Sequence, residues 1–141
     1  MKIRIATLNV KGLATPSKFR NTTNLLKKYK NIDIFTLQET NIHSDKIAFT
    51  MRKWPLPSFW TNEVAILINN PRIVVNNSFS TNSRNLILDF ALGSKVCRIE
   101  TVYILPDRKR RISFLQHWAL VMNEGNYILT GDFNVNLHPP N

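Results

Sequence analysis

The sequence predicts an α/β domain, and two features of the chain carry that prediction. Short apolar segments rich in β-branched residues recur along the chain, and an amphipathic segment separates the first two of them. Several of the predicted strands also end in polar residues. With 141 residues and 43% apolar side chains, the chain suits one domain that buries most of its unfolded surface.

The first predicted strand covers residues 3–10, and Gly12 permits the turn that follows Asn9 at its end. Residues 18–30 have the period of an amphipathic helix, for which Ser17 is the predicted N-cap. The predicted apolar face of this helix comprises Phe19, Thr22, Leu25, Leu26 and Tyr29.

The middle of the chain contains further predicted strands. Residues 32–37 form a second strand that runs directly into Glu39, which completes a strand–helix–strand unit. Residues 41–60 are predicted to form a loop with one helical turn. Residues 64–68 read as a buried strand, and residues 73–75 are predicted to be its short neighbour.

The last third of the chain begins with a hairpin pattern. Residues 85–91 and 95–104 flank a short loop that contains Gly93, so they are predicted to pair as a β-hairpin that places Tyr103 near a strand end. Residues 108–122 have helical periodicity, and a final apolar strand begins at Tyr127.

Polar side chains collect at the ends of these predicted strands. They are Asn9, Glu39, Tyr103, Asp132 and Asn134. Asp132 and Asn134 share one side if the extended geometry continues between them, although an ordinary turn explains that pair equally well. Two carboxylates with carboxamides are hard oxygen ligands, typical of Mg²⁺ or Mn²⁺ sites that also hold a phosphate. The histidines and Cys97 lack the spacing of zinc ligands.

The charge of the chain indicates a polyanionic partner. Nineteen Lys and Arg against nine Asp and Glu give a net charge of +10, which favours DNA or RNA, although basic residues can also serve only solubility. The predicted phosphate contacts are Lys27, Lys28, Arg108, Lys109, Arg110 and Arg111. The basic run at 108–111 can equally be a solvated helix start.

The sequence predicts an intracellular protein. The single cysteine, Cys97, excludes an internal disulfide and lies in an apolar strand, as expected for a buried thiol in a reducing compartment. The apolar stretch at residues 5–8 is too short for a signal peptide, so secretion is not expected. No apolar run approaches the ~20 residues that span a bilayer, so no membrane association is predicted.

Five segments resemble, in order and spacing, the motifs of the endonuclease/exonuclease/phosphatase superfamily. They are residues 7–12, 37–40, 64–68, 102–106 and 131–134. The chain looks most similar to the apurinic-like endonuclease domain of non-LTR (LINE-type) retrotransposons, whose first half it resembles along nearly its whole length. The resemblance implies a DNase I-like, four-layered α/β sandwich. Residues 1–141 would supply its N-terminal half, with one mainly antiparallel or mixed sheet and its helices.

The resemblance also implies a role for each polar residue. Glu39 resembles the main metal-ligating carboxylate, and Asn9 the asparagine that supports the metal and phosphate network. Tyr103 resembles a tyrosine that contacts the scissile phosphate, although a core or rim aromatic is the alternative. Asp132 is similar to the aspartate that activates the attacking water, and Asn134 to its companion on the phosphate oxygens. The implied reaction is Mg²⁺-dependent hydrolysis of a DNA phosphodiester.

The chain departs from the superfamily pattern in three places. Glu63 stands where the family usually has glycine, and Asn41 where many retrotransposon members have histidine. The family's second half, with a further aspartate and a Ser-Asp-His motif, does not follow. The sequence therefore predicts a fragment or degenerate copy with little activity alone, which exposes the sheet face meant for the second half and could self-associate through it.

Two other functions remain open on the sequence alone. One is a non-catalytic, basic remnant that only binds nucleic acid, which salt-dependent binding without cleavage would distinguish. The other is a phosphatase on small phosphate esters, which the net charge of +10 disfavours. A retrotransposon origin would place the protein in the nucleus.

Overall fold

The β-branched segments of the sequence form eight strands in the computed structural model, which describes residues 2–105 and 126–134. The strands are β1 (Ile5–Asn9), β2 (Ile34–Gln38), β3 (Ser58–Trp60), β4 (Val64–Ile68), β5 (Val74–Phe79), β6 (Asn85–Leu92), β7 (Lys95–Tyr103) and β8 (Tyr127–Asp132). The helices are α1 (Pro16–Lys27) and α2 (Ile47–Met51), and a 3₁₀ turn (Ser44–Lys46) precedes α2. The helix predicted at residues 108–122 lies outside the described residues.

The first sheet has the strand order β1-β2-β4-β3. Strand β1 pairs in parallel with β2, and Asn9 lies opposite Gln38, so the predicted strand–helix–strand unit is confirmed. The central strands β2 and β4 are buried at every residue, which explains why their sequences are mainly apolar without a polar alternation.

The second sheet has the order β5-β6-β7-β8. The predicted hairpin is confirmed as β6 and β7, and β8 joins β7 in parallel. The prediction that residues 73–75 neighbour the 64–68 strand is wrong, because β5 pairs with β6 instead. Both edges of β4 are already occupied, by β2 and β3, so no position beside it remained.

The two sheets pack face to face within this chain. Their shared core contains Ile34, Val64, Ile66, Ile68, Ile73, Leu86, Leu88, Phe90, Leu92, Cys97 and Ile99, all nearly inaccessible to solvent. The α/β sandwich class is confirmed, but the expectation that the chain supplies a single sheet is wrong. The apolar face that was expected to be exposed is covered by β5–β8, so the premise of the predicted self-association does not hold.

Helix α1 packs on the outer face of the first sheet. Its N-cap is Thr15, whose hydroxyl accepts the Lys18 N–H at 3.4 Å, so the prediction of Ser17 as the cap is wrong. The buried stripe is Phe19, Thr23 and Leu26. Leu25 and Tyr29 were predicted to be buried but are 48% and 52% exposed. Helical period alone could not decide which of two adjacent apolar stripes faces the sheet.

The segment predicted as a loop contains an additional strand. Besides the expected helical turn, residues 58–60 form β3 along the edge of β4. Both tryptophans of this region are buried and hydrogen-bonded: Trp54 Nε1 donates to the Ile68 carbonyl at 2.7 Å, and Trp60 Nε1 to Ser58 Oγ at 2.9 Å. Within the described ranges, no helix is long and apolar enough to cross a membrane.

Candidate active site

The carboxyl ends of β1 and β8 meet at one end of the sandwich. Each is an edge strand of its own sheet, and each ends in a polar residue, Asn9 in β1 and Asp132 in β8. The Asn9 Nδ2 group donates a hydrogen bond to Asp132 Oδ2 at 2.8 Å. This contact joins the two sheets at the polar end that the sequence predicted.

The Asp132 carboxylate is held by two donors. Asn9 binds Oδ2, and the backbone N–H of Asn134 donates to Oδ1 at 3.0 Å. The strand ends at Asp132, and Asn134 adopts a left-handed φ of 47°, so the extended geometry required for the two side chains to share one side does not continue. The Asn134 side chain instead donates to the Ile104 carbonyl, which ties the ends of β7 and β8 together.

Glu39 and Tyr103 form the second polar contact of the site. The Tyr103 hydroxyl lies 3.3 Å from Glu39 Oε1, to which it donates. Tyr103 is also the register partner of Asp132 between β7 and β8, so this contact lies beside the Asn9–Asp132 bond. All five residues predicted from strand ends are therefore brought to one end of the sandwich.

The backbone is unusually bent at this end. In the described ranges, the non-glycine residues with positive φ are Lys11, Glu39, Asn41 and Asn134. All four follow strands that end at the site. Such conformations cost about 1–3 kcal/mol when unsupported and concentrate at functional sites. Backbone bonds support them here, since Gly12 donates to Glu39 O at 2.6 Å and Leu13 to Thr40 O at 2.8 Å.

Burial and acidic neighbours together keep the Tyr103 phenol protonated. Burial raises the pKa of Tyr103 above its usual value of 10.0, and the charge and hydrogen bond of Glu39 raise it further. Asp132 and Glu63 act in the same direction. Tyr103 is thus a hydrogen-bond donor throughout the neutral and moderately alkaline range.

A layer of polar groups, of which Gln38, Thr36 and Thr101 are buried, supports the site from within the sandwich. Gln38 is 2% exposed, and its Nε2 donates to Thr7 Oγ1 at 2.9 Å and to Thr101 Oγ1 at 3.0 Å, which links the two sheets. Thr36 and Thr130 make a further link at 3.0 Å. Sequence reasoning missed this layer, although a glutamine at the end of an otherwise apolar strand was an available signal.

Gly131 permits the close approach of β8 to β7. It has a φ of 145°, and a Cβ at this position would lie 2.1 Å from the Val102 carbonyl oxygen. A side chain there would push β8 away from β7. Glycine before Asp132 is therefore required to hold the carboxylate in its register with Tyr103.

Glu63 adds a third acidic group near the site. Burial raises the pKa of its carboxyl, the Arg84 charge opposes that shift, and the Glu39 charge adds to it. The turn before β4 does not need the usual glycine, because Thr61 Oγ1 accepts the N–H groups of Glu63 and Val64 at 3.2 and 3.1 Å. The departure at Glu63 changes the charge of the turn while the turn itself is retained.

The donor set fits a hard cation with few protein ligands. In the part of the chain that is described, no group of three His, Cys, Asp or Glu side chains is close enough to hold a metal ion. Mg²⁺ commonly binds through one or two carboxylates with waters and a substrate phosphate, and Glu39 offers one carboxylate. Asn9 was predicted to support the metal, but its Oδ1 accepts the Lys11 N–H at 3.0 Å and its amide holds Asp132.

The predicted basic contacts that fall within the described residues do not lie beside these carboxylates. Lys27 and Lys28 lie at the carboxyl end of α1, which connects two parallel strands and therefore ends opposite the site. Arg108, Lys109, Arg110 and Arg111 lie outside the described residues. Lys11 was not predicted, yet its backbone N–H binds Asn9 directly.

Comparison with known proteins gives a family match and structural similarities. The model of the Endonuclease/Exonuclease/phosphatase family matches residues 6–141. No curated protein sequence matches the chain significantly. Similar solved structures include D. rerio TDP2 humanized by 14 mutations, with a TM-score of 0.72 at 18% identity, over 96% of this chain and 67% of that one.

Two further structures are similar to the chain at comparable levels. D. rerio TDP2 complexed with a single strand DNA product has a TM-score of 0.69 at 18% identity, over 95% of this chain and 61% of that one. The endonuclease domain of TRAS1, a telomere-specific non-LTR retrotransposon, has a TM-score of 0.68 at 16% identity, over 96% of this chain and 60% of that one. At these identities the likeness establishes the fold. The chain spans less than two thirds of the length of these two structures.

Proposed function

The chain belongs to the endonuclease/exonuclease/phosphatase family, and on that premise we propose that its site hydrolyses DNA phosphodiester bonds with Mg²⁺ or Mn²⁺. The predicted superfamily is confirmed by the family match, and the sandwich is one on which DNA-processing proteins are built. Because the chain spans only part of these structures, the activity of the whole protein is itself part of the proposal.

One observation carries the proposal. The Asn9–Asp132 hydrogen bond of 2.8 Å lies beside the Tyr103–Glu39 contact of 3.3 Å. Two carboxylates, a protonated phenol and a carboxamide thus share the end of the sandwich where loops leave the strands. These are the groups needed to bind a divalent cation, position a water molecule and donate to a phosphate oxygen.

Glu39 is the residue that would hold the cation. Its left-handed backbone directs it from the end of β2 towards Tyr103, and one carboxylate oxygen accepts the phenol. When bound, Mg²⁺ or Mn²⁺ would neutralise the negative charge that develops on the phosphoryl oxygens.

Asp132 would orient the attacking water and accept its proton. Both of its oxygens are already fixed, by the Asn9 amide and the Asn134 backbone, so the carboxylate needs little reorganisation. Asn9 thereby acts as a positioning residue. Asn134 contributes to the same end, because its side chain donates to the Ile104 carbonyl and ties β8 to the end of β7.

Tyr103 would donate to a non-bridging phosphate oxygen. Burial and the Glu39 charge raise the pKa of its phenol, so the proton needed for donation is retained at working pH. A donor aimed at a phosphoryl oxygen stabilises negative charge where it increases during attack.

The experiment is a single-turnover cleavage assay, with protein in excess over an end-labelled DNA duplex and with Mg²⁺, Mn²⁺ or EDTA. Excess protein and long incubation reveal hydrolysis too slow for repeated turnover. Metal-dependent cleavage is expected from the wild type and from Asp45→Asn, an exposed acidic residue outside the site, but not from Asp132→Asn or Glu39→Gln. No metal-dependent cleavage, or cleavage unaffected by Asp132→Asn, would contradict the proposal.

A non-catalytic nucleic-acid-binding role is the second candidate, favoured by the net charge of +10. It predicts DNA affinity that falls steeply with salt, since cations released from phosphates dominate such binding. Salt-dependent binding without any metal-dependent cleavage would select it. Turnover of a small phosphate ester would instead select the phosphatase alternative.

A further inference from the structure

A basic groove runs along α1 on the outer face of the first sheet. Its volume is about 300 Å³, and it is lined by Pro16, Phe19, Arg20, Thr23, Asn24, Lys27 and Lys53. We call it the α1 groove. The proposed hydrolysis uses none of these residues.

The polar side of the α1 groove is cationic. Arg20, Asn24 and Lys27 follow one another at helical spacing along a single exposed stripe of α1, and Lys53 faces them from the turn after α2. Among the described residues that line the groove, none is Asp or Glu. The ion pair within the described ranges is Arg98–Asp89. Arg20, Lys27 and Lys53 therefore form no ion pair with a described carboxylate.

Aromatic rings stand next to these cations. Lys53 Nζ lies 5.1 Å from the centroid of Phe19 and 4.4 Å from that of Phe49. Phe19 is buried in the groove wall, whereas Phe49 is 61% exposed. An exposed ring beside a row of cations is the arrangement on which bases stack while phosphates are neutralised.

The α1 groove begins beside the site. Lys18 Nζ donates to the Lys11 carbonyl at 2.6 Å, and the Lys11 N–H binds Asn9. From Pro16, the groove follows α1 over 12 residues, or about 18 Å, which is enough for several nucleotides.

We propose that the α1 groove binds single-stranded DNA, with phosphates on Arg20, Lys27 and Lys53 and a base against Phe49. The inference rests on the proposed function, because the bound strand would be one that leaves the site. A single strand is favoured over a duplex because only unpaired bases can offer a free face to Phe49.

The test measures binding of a fluorescein-labelled oligo-dT by fluorescence anisotropy over a series of salt concentrations, in EDTA. Arg20→Ala/Lys27→Ala should make the log–log salt slope shallower by about 1.4, since each phosphate contact contributes about 0.7 for single strands. Lys95→Ala, an exposed lysine on the hairpin of the other sheet, is the matched control and should change neither affinity nor slope.

Two substitutions of Phe49 test the stacking contact separately. Phe49→Ala should weaken oligo-dT binding about 5-fold or more and leave the affinity for a blunt duplex unchanged. Phe49→Leu keeps an apolar side chain but lacks a ring, and should weaken binding in the same direction. Circular dichroism checks that each variant is folded.

Two results would overturn the inference: an unchanged salt slope in the double variant, or equal weakening by Lys95→Ala. Equal effects of Phe49→Ala on single strand and duplex would also contradict it. The series is repeated in a Glu39→Gln background, where no cleavage is expected. If the protein does not hydrolyse DNA, the binding result still stands. If it hydrolyses DNA but the groove variants bind oligo-dT like the wild type, only the proposed role of the α1 groove is overturned.

Discussion

Asn9 and Asp132 are 123 positions apart in the chain, yet their side chains are hydrogen-bonded at 2.8 Å. Each is the last residue of an edge strand, one in each sheet. The bond therefore reports how the two sheets are aligned as well as how the carboxylate is held. Any displacement of β8 relative to β1 would therefore shift the Asp132 carboxylate and break its bond to Asn9.

Asn9→Ala should lower the rate of DNA cleavage roughly 10- to 100-fold, because the Asp132 carboxylate loses one of its two donors and can rotate. Metal binding should remain, since Glu39 is untouched. The measurement is single-turnover cleavage alongside thermal stabilisation by Mn²⁺. Loss of the metal effect together with the rate would show instead that Asn9 supports the cation.

Mn²⁺ or Mg²⁺ should raise the melting temperature of the wild type but not of Glu39→Gln. A ligand that binds only the folded state at 100 times its dissociation constant stabilises it by about 2.7 kcal/mol. Differential scanning fluorimetry with a metal titration checks this, and Asp45→Asn serves as the control. Equal stabilisation of the wild type and Glu39→Gln would remove Glu39 from the metal site.

Glu63→Gln should stabilise the protein at neutral pH. Burial and the Glu39 charge raise the pKa of the Glu63 carboxyl above its usual 4.5, so the folded chain binds this proton more tightly than the unfolded chain. This tighter proton binding stabilises the folded state at pH values below the pKa of Glu63 in the unfolded chain. The stabilisation is lost as the pH rises through the pKa of Glu63 in the folded chain. The substitution should raise the melting temperature by roughly 1–4 °C at about pH 7.

The same comparison at about pH 3.5 provides the internal control, because the wild-type carboxyl is then protonated in both states. The two proteins should melt at nearly the same temperature there. A gain of the same size at both pH values would assign the effect to packing rather than to charge.

The 141-residue chain should nick DNA only slowly on its own. The superfamily resemblance implies a further aspartate and a Ser-Asp-His motif, and this sequence contains no Ser-Asp-His. A positioned acid–base group typically contributes 10²- to 10⁴-fold. A supercoiled-plasmid nicking assay with Mg²⁺ checks this prediction. Rapid nicking that Asp132→Ala abolishes would show that another group, such as His43, replaces the missing histidine.

The sequence alone determined most of the strand segments, with β3 as the exception, where the β6–β7 hairpin turns and which polar residues lie at strand ends. These features depend on local periodicity and turn chemistry, which are set by residues close together in the chain. The five polar residues could be named because each lies at the end of a recognisable strand or within two residues of it. The resemblance of the motifs also predicted the superfamily, and the family match confirms that prediction.

The tertiary structure decided which strands pair and which faces meet. Strand β5 joins β6 rather than β4, Thr23 rather than Leu25 faces the sheet, and Gln38 bridges the two sheets from a buried position. Periodicity assigns a residue to one side of its element but carries no information about the distant element that covers that side. The Asn9–Asp132 bond depends on that packing, because it exists only once both sheets have formed and aligned their ends.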